Sequence, residues 1–238
     1  MIVLVFDTET TGLTIYDNKR NITSSPYIIQ LSFVLFDTDL LEIIHCYDKI
    51  IKIDDCVAIS SESIAIHGIT REKSKEFGIN IVDALLCLFE YSKLATLIVG
   101  HNCSFDINMI KQESIRIREC NIYEDNSIWT LPHILSMPTY CTMKELKDIC
   151  KIPHIDSIGY PIGTTSRYKW PKLNELHKHF FGSIPKNLHN SLYDTLVCLR
   201  CYIQHIYMKD ISKLPLVGCN TTLDLMTINE LNIPLIFV

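Results

Sequence analysis

The chain has 238 residues, 47% hydrophobic and 21% charged, which fits one large α/β domain or two small ones. A formal charge of −5 argues against passive coating of nucleic acid, and no stretch reaches the roughly 20 apolar residues of a membrane span. Ten irregularly spaced cysteines and an N-terminus that opens directly on an apolar run, MIVLVF, suggest reduced thiols in a soluble cytoplasmic or nuclear protein rather than a disulfide framework.

In chain order, residues 2–7 read as an apolar strand ending in a carboxylate, and 14–26 as a polar loop closed by a proline. YIIQLSFVLFD and EIIHCYDKIIKI read as a hairpin turning around residues 37–39. Residues 28–36 are apolar on nearly both faces, as a central strand would be. Ser60–His67 predicts one or two helical turns closed by Gly68, and Thr70 a cap for the next short helix. Ile81, Leu85, Leu88 and Phe89 fall at helical spacing within 79–94, and LATLIVG predicts a buried strand after which Asp106 opens another helix. A less regular region spans 119–168. Helices are expected over about 171–181, ended by Gly182, and over 190–208. Alternating strands and helices with no repeat or linker predict an α/β domain over residues 1–208. Residues 209–238 are too apolar for disorder and are expected to pack on it as a C-terminal extension.

Asp7 and Glu9 sit one residue apart on a strand, so both project from one face and can share an ion. Asp106 follows another strand and Asp194 falls in the first turn of the last long helix, and strand ends are where active sites of open α/β sheets gather. Carboxylates gathered in this way suit Mg²⁺ or Mn²⁺, and two such ions can clamp the attacking and leaving oxygens of a displacement at phosphorus. His189 precedes Asp194 by five residues, about 140° around a helix, so it faces the carboxylates only from the loop before that helix. An imidazole there can take a proton from the attacking water. Arg167, Lys169, Lys172, Lys178 and Lys186, with Tyr168 and Trp170 among them, suit a phosphate backbone with unstacked bases, and equally an ordinary solvated helix face. The CLRC run at 198–201 is spaced for an apolar helix face and lacks a second pair of ligands, so zinc is not expected there.

FDTETTGL, HNCSFD and HNSLYD together resemble the three motifs of the DnaQ-like 3′–5′ exonuclease superfamily, in the histidine-containing DEDDh form. The tyrosine-type branch carries Tyr four residues before the last Asp, where this chain has Asn190. The resemblance runs from residue 1 to about 207 and takes in AIHGIT (65–70) and YKWPKLNEL (168–176). It implies a ribonuclease H-like fold, a mixed central sheet flanked by helices, and release of nucleoside monophosphates from a 3′ end with two Mg²⁺ or Mn²⁺ ions. It also implies Asp7, Glu9, Asp106 and Asp194 as metal ligands and His189 as general base. Thr10, Thr11, Gly12 and Leu13 match the segment holding the terminal nucleotide, with Leu13 against the last base. Ile66 and His67 match a second contact, and Asn102 either supports the 3′ end or shapes a turn.

The expected partner is nucleic acid with a free 3′ end, single-stranded or frayed, and a homodimer is an assembly open to the chain. DNA is the substrate favoured, in repair, proofreading or degradation. An exonuclease acting on RNA is the alternative, since the contact to a 2′-hydroxyl is not visible in sequence. An inactive nucleic-acid-binding module is the other, although its usual mark is a missing carboxylate and all four are present.

Overall fold

Residues 2–6 carry no polar side chain, and in the computed structural model they begin strand β1 (Ile2–Thr10) at the middle of a five-stranded sheet. The structure describes residues 1–16, 22–120, 132–155, 168–186, 188–215 and 222–224. β1 pairs antiparallel with β4 (Ile28–Asp37), which pairs antiparallel with β5 (Glu42–Ile50). On its other side β1 runs parallel to β6 (Leu97–Gly100), and β6 parallel to β7 (Thr139–Cys141), giving the order β5-β4-β1-β6-β7. The sheet is therefore mixed, and nine of the ten residues of β4 are buried, as its two-faced apolar sequence requires.

Alternation along β1 divides the interior. Leu4 and Phe6 point into a core built with α3 (Ile81–Ser92) and α4 (Ser104–Glu119), whereas Val3 and Val5 point the opposite way into a core built with α9 (Ser191–Tyr207). Helix α8 (Leu173–Phe181) lies outside α9, where Leu176 meets Tyr193 and Val197. Each large side chain fully buried in these layers, Phe6 and Phe33 among them, contributes roughly 1.5–3 kcal/mol.

The local signals act as their chemistry dictates. Ser60 and Thr70 accept from the backbone as N-caps of α1 (Ser61–His67) and α2 (Arg71–Phe77). Gly68 closes α1 at φ 70°, a conformation that costs a β-carbon-bearing residue strain. Gly100 ends β6 where a β-carbon would meet Cys103 Cβ at 2.6 Å, so only glycine lets the chain turn this tightly into α4.

Two stretches hold more order than their composition suggests. The polar segment 14–26 contains a small two-stranded ladder, β2 (Ile15–Tyr16) with β3 (Ile22–Ser24). The less regular region holds α5 (Pro132–Ser136), the sheet strand β7, α6 (Thr142–Glu145) and α7 (Lys147–Cys150). Elements of two to five residues are too short for a hydrophobic pattern to repeat, and their order comes from pairing and packing. Of the C-terminal extension, residues 209–215 and 222–224 are described, including the antiparallel pair β8 (Lys213–Pro215) and β9 (Thr222–Asp224), and residues 216–221 and 225–238 lie outside the described residues. Among the described residues no helix is long and apolar enough to cross a membrane.

Candidate active site

Asp7 and Glu9 continue the Val3–Val5 side of β1, so they emerge on the face that α9 covers. Asp194 sits in the first turn of α9, capped by Asn190, whose side chain accepts from the Tyr193 N–H. One carboxylate oxygen from each of Asp7, Glu9 and Asp194 lies within 4.8 Å of the other two. A register shift between Glu9 and Thr10 interrupts the ladder with β4 at this point, and such irregularities re-aim strand side chains beside active sites.

Asp106 arrives from the other side of the sheet. It starts α4, which packs on the Leu4–Phe6 face, and it is only 3% exposed. Thr8, between the two strand carboxylates and pointing the opposite way, donates to Asp106 Oδ1 from its backbone N–H at 3.0 Å and from its hydroxyl at 2.8 Å. Asp106 therefore stands outside the tight trio while its charge still acts on Asp7 and Glu9. Sequence reasoning grouped the four carboxylates and missed Thr8, whose place inside the Asp-Thr-Glu run was the available signal.

The electrostatics are those of acids crowded away from water. Burial, then the charges of Asp106, Asp194 and Glu9, hold the Asp7 carboxyl well above its usual range. Burial, then Asp194 and Asp106, push Glu9 up to about 8. Asp106 rises to about 7 through burial, opposed by the two Thr8 hydrogen bonds. Asp194 also rises to about 7 through burial, opposed by the N–H of His189.

His189 lies in the loop before α9 with φ 76°, a left-handed conformation that costs a non-glycine residue of order 1–3 kcal/mol unless its surroundings hold it. Asp194 Oδ2 holds it by accepting from the His189 backbone N–H at 3.0 Å, and the residue is exposed. Asp194 Oδ1, by contrast, is buried with no hydrogen-bond partner among the described residues. An orphaned carboxylate oxygen inside a cluster of acids is what a hard divalent cation satisfies, so the residues present fit Mg²⁺ or Mn²⁺.

The residues expected to hold substrate divide into two kinds. Thr10 and Thr11 are buried and engaged with the fold: the Thr10 hydroxyl donates to the Gly12 carbonyl at 2.7 Å, and the Thr11 hydroxyl accepts from the Tyr27 N–H at 2.9 Å. His67 Nδ1 accepts from the Ile69 N–H at 3.0 Å, and burial lowers its pKa against an opposing contribution from the Thr10 carbonyl. Leu13 and Ile66 are instead 81% and 55% exposed, large apolar groups facing water, and a β-carbon on Gly12 would meet nothing within 4 Å. Asn102 is exposed at φ 63° and its carbonyl accepts from the Phe105 N–H at 2.9 Å, shaping the turn into α4.

Nearby, His101 ties together three segments. Its Nδ1 lies 3.0 Å from Thr142 Oγ1 and its Nε2 3.1 Å from the Pro171 carbonyl, and burial lowers its pKa to about 4. The Tyr168–Leu176 segment is thus fastened to the end of β6. Within it Trp170 is 57% exposed and Lys169 pairs with Glu175 at 2.5 Å, while Arg167 lies outside the described residues. Cys198 and Cys201 are buried in two different packing clusters of α9, Cys198 with Thr142 Oγ1 at 3.6 Å.

Solved structures of Escherichia coli exonuclease I share this architecture. The complex with a dA16 oligonucleotide is 19% identical, with a TM-score of 0.59 over 86% of this chain and 41% of that one. The complex with dT13 is 19% identical, with a TM-score of 0.57 over 85% and 41%. A third structure of exonuclease I, described as suggesting how processivity is achieved, is 19% identical with a TM-score of 0.58 over 86% and 41%. The chain thus spans about two fifths of the length of these proteins, and at this identity the likeness establishes the fold. No curated protein matches the chain significantly. The RNase T exonuclease model matches residues 4–202, from Leu4 in β1 to Tyr202 in α9 and across every segment that builds the acidic cluster, and the chain belongs to that exonuclease family within the DnaQ-like superfamily.

Proposed function

We propose that the chain is a metal-dependent 3′–5′ exonuclease that hydrolyses phosphodiester bonds at nucleic-acid 3′ ends and releases nucleoside monophosphates. The observation that carries this reading is the trio of Asp7, Glu9 and Asp194, closed to within 4.8 Å, with Asp194 Oδ1 buried and unpartnered among the described residues. Asp7, Glu9 and Asp194 would hold Mg²⁺ or Mn²⁺, two ions by the DEDDh pattern, with Asp106 as the fourth ligand. Such ions supply Lewis-acid stabilisation of the charge that develops at phosphorus.

The chain's own residues do the rest. His189, exposed in the loop before α9 and anchored through its backbone to Asp194, takes a proton from the attacking water on an imidazole nitrogen. Leu13 and Ile66 present apolar surface to the terminal base, and the open space at Gly12 lets backbone approach the ligand. Thr10, Thr11 and His67 serve this pocket by fixing its backbone, and Asn102 shapes the turn that delivers Asp106.

DNA is the substrate we assign, in single-stranded or frayed form, because an apolar wedge needs a base that is not stacked in a duplex. The exonuclease I relatives of the same fold are described with oligodeoxynucleotides. We assign residues 1–208 to the exonuclease domain and 209–238 to an extension on it, in support of which Ile211 is buried in the core on the α9 side.

Digestion of matched 3′-labelled DNA and RNA oligonucleotides, single- and double-stranded, with Mg²⁺ or Mn²⁺ tests the reading. Mononucleotides released first from single-stranded DNA ends are expected. Oligonucleotide products, or cleavage of circular single strands as fast as linear ones, would overturn it.

A further inference from the structure

Three strands carry a polar row where the sheet is otherwise apolar. Asp7 of β1 stands opposite Ser32 of β4, and Ser32 opposite Asp48 of β5, so all three side chains lie on the α9 face, and Glu9 stands opposite Gln30 one step further on. Gln30 is 3% exposed and Ser32 fully buried, inside a strand whose other residues on this face are Val34 and Phe36. Buried polar groups at such positions persist when each is satisfied, and these are. Asp48 Oδ1 accepts from Gln30 Nε2 at 2.8 Å and from Ser32 Oγ at 2.7 Å.

The other end of the network grips the start of α9. Gln30 Oε1 accepts from the Ser191 backbone N–H at 3.3 Å, one of the donors that a helix N-terminus leaves without an internal partner. The Ser191 hydroxyl, fully buried, lies 2.5 Å from Ser32 Oγ and 3.1 Å from the carbonyl oxygen of Asp7 itself. The Gln30 amide has one consistent orientation, carbonyl toward the helix and NH₂ toward Asp48. Hydrogen bonds therefore run from the β5 carboxylate through Gln30 and Ser32 to the first residue of α9, whose one hydroxyl proton lies within reach of both Ser32 Oγ and the carbonyl oxygen of the strand ligand Asp7.

We propose that Gln30, Ser32, Asp48 and Ser191 are positioning residues that set the register of α9 on the sheet, and so fix Asp194 and His189 relative to Asp7 and Glu9. The apolar contacts of α9 tolerate small slides, whereas hydrogen bonds at 2.5–3.3 Å do not. This inference rests on the nuclease reading for its catalytic consequence and on geometry alone for its effect on the carboxylate trio.

The test compares Gln30→Met, Ser191→Ala, Gln30→Glu and the pair Gln30→Glu with Asp48→Asn. Activity is read on single-stranded DNA, and Mn²⁺ affinity by calorimetry on the same preparations. Supporting residues behind metal ligands are worth about 10–100-fold, so Gln30→Met and Ser191→Ala should each lower kcat and Mn²⁺ affinity within that range and leave KM within about threefold. Gln30→Glu sets a second carboxylate against Asp48 and should lose as much. Adding Asp48→Asn restores a donor facing residue 30 and should recover most of the loss, which general destabilisation would not do. Wild-type kcat and Mn²⁺ affinity in folded Gln30→Met, beside an inactive Asp7→Asn, would overturn the positioning role and leave the nuclease reading standing. Should Gln30→Met not fold, Ser191→Ala decides on the same criteria. Equal activity in wild type and Asp7→Asn would strike the nuclease reading instead, and Mn²⁺ affinity alone then decides the positioning role.

Discussion

The two faces of the central sheet supply the acidic site unequally. The face covered by α9 brings Asp7, Glu9 and Asp194 within 4.8 Å and adds His189, whereas the face covered by α3 and α4 contributes Asp106 alone, with one oxygen occupied by two Thr8 hydrogen bonds. The cause is the two-residue period of a strand. Asp7 and Glu9 share a face because one residue separates them, and Thr8 between them reaches the opposite side, where α4 starts. Carboxylates on one face are drawn together by packing of a helix, while one from the other face must come around the end of the strands and is steadied by a hydroxyl.

The sharpest way to break the comparison is to remove a member of the trio. Asp7→Asn or Asp194→Asn should reduce release of mononucleotides to background with the fold intact, since each takes away an oxygen on which cation position depends. In chelator the same changes should raise Tm, because they relieve the repulsion that Asp7 feels from its neighbours and that Asp194 exerts on Asp7, Glu9 and Asp106. Turnover near wild type in either variant would dismiss the trio as the metal centre.

His189→Ala comes next, with a loss of about 10²–10⁴-fold in kcat and unchanged Mn²⁺ binding, the measure of a base that is not a ligand. A pH–rate profile that keeps its shape through neutrality in this variant would remove the imidazole from the mechanism. On the opposite face, Thr8→Val deletes one of two hydrogen bonds to Asp106 and keeps the carboxylate, so a smaller kcat loss, about 10-fold, is expected. An effect as large as that of Asp7→Asn would mean that the two faces are equivalent.

The pH dependence of stability distinguishes the faces less than it tests their crowding. Glu9, Asp106 and Asp194 bind protons in the folded chain up to about 8, 7 and 7, well above their ordinary values of 4.5, 3.8 and 3.8. The folded state thus holds more protons than the unfolded one above ordinary carboxylate values, and stability falls as pH rises until the folded groups have titrated. His101, lowered to about 4, acts in the opposite direction but only below its ordinary value of 6.5. In chelator, Tm should accordingly decline between about pH 6.5 and 8.5, and Mg²⁺ should flatten the decline. A flat apo curve would contradict the crowding. The smallest effect is expected at the basic stretch, where Lys172→Glu should raise KM a few fold and reduce its salt dependence, with kcat unchanged.

Much of this molecule was legible in its sequence. The apolar run before Asp7, the doubly apolar β4, the caps at Thr70 and Gly68 and the long apolar α9 are local signals, and the structure uses each where it stands, while Ser60, read as the first helical residue, serves as the N-cap of α1. The one-residue spacing of Asp7 and Glu9 dictated a shared face, and the five residues from His189 to Asp194 dictated a histidine in a loop. What the sequence could not say is which carboxylates would converge, because that depends on which sheet face each helix covers. The division of α9 from α4 is a property of packed layers, not of either segment. The same holds for β7, three residues made a strand only by its neighbour β6, and for Thr10 and Thr11, whose hydroxyls went to the backbone once the chain had folded around them. Gln30 and Ser32 went unremarked in a strand read as apolar on nearly both faces, because their partners lie 18, 16 and about 160 positions away and only the tertiary structure brings Asp48 and Ser191 to them. Side-chain direction is fixed by local periodicity, whereas convergence is fixed by the layers that long-range apolar burial assembles.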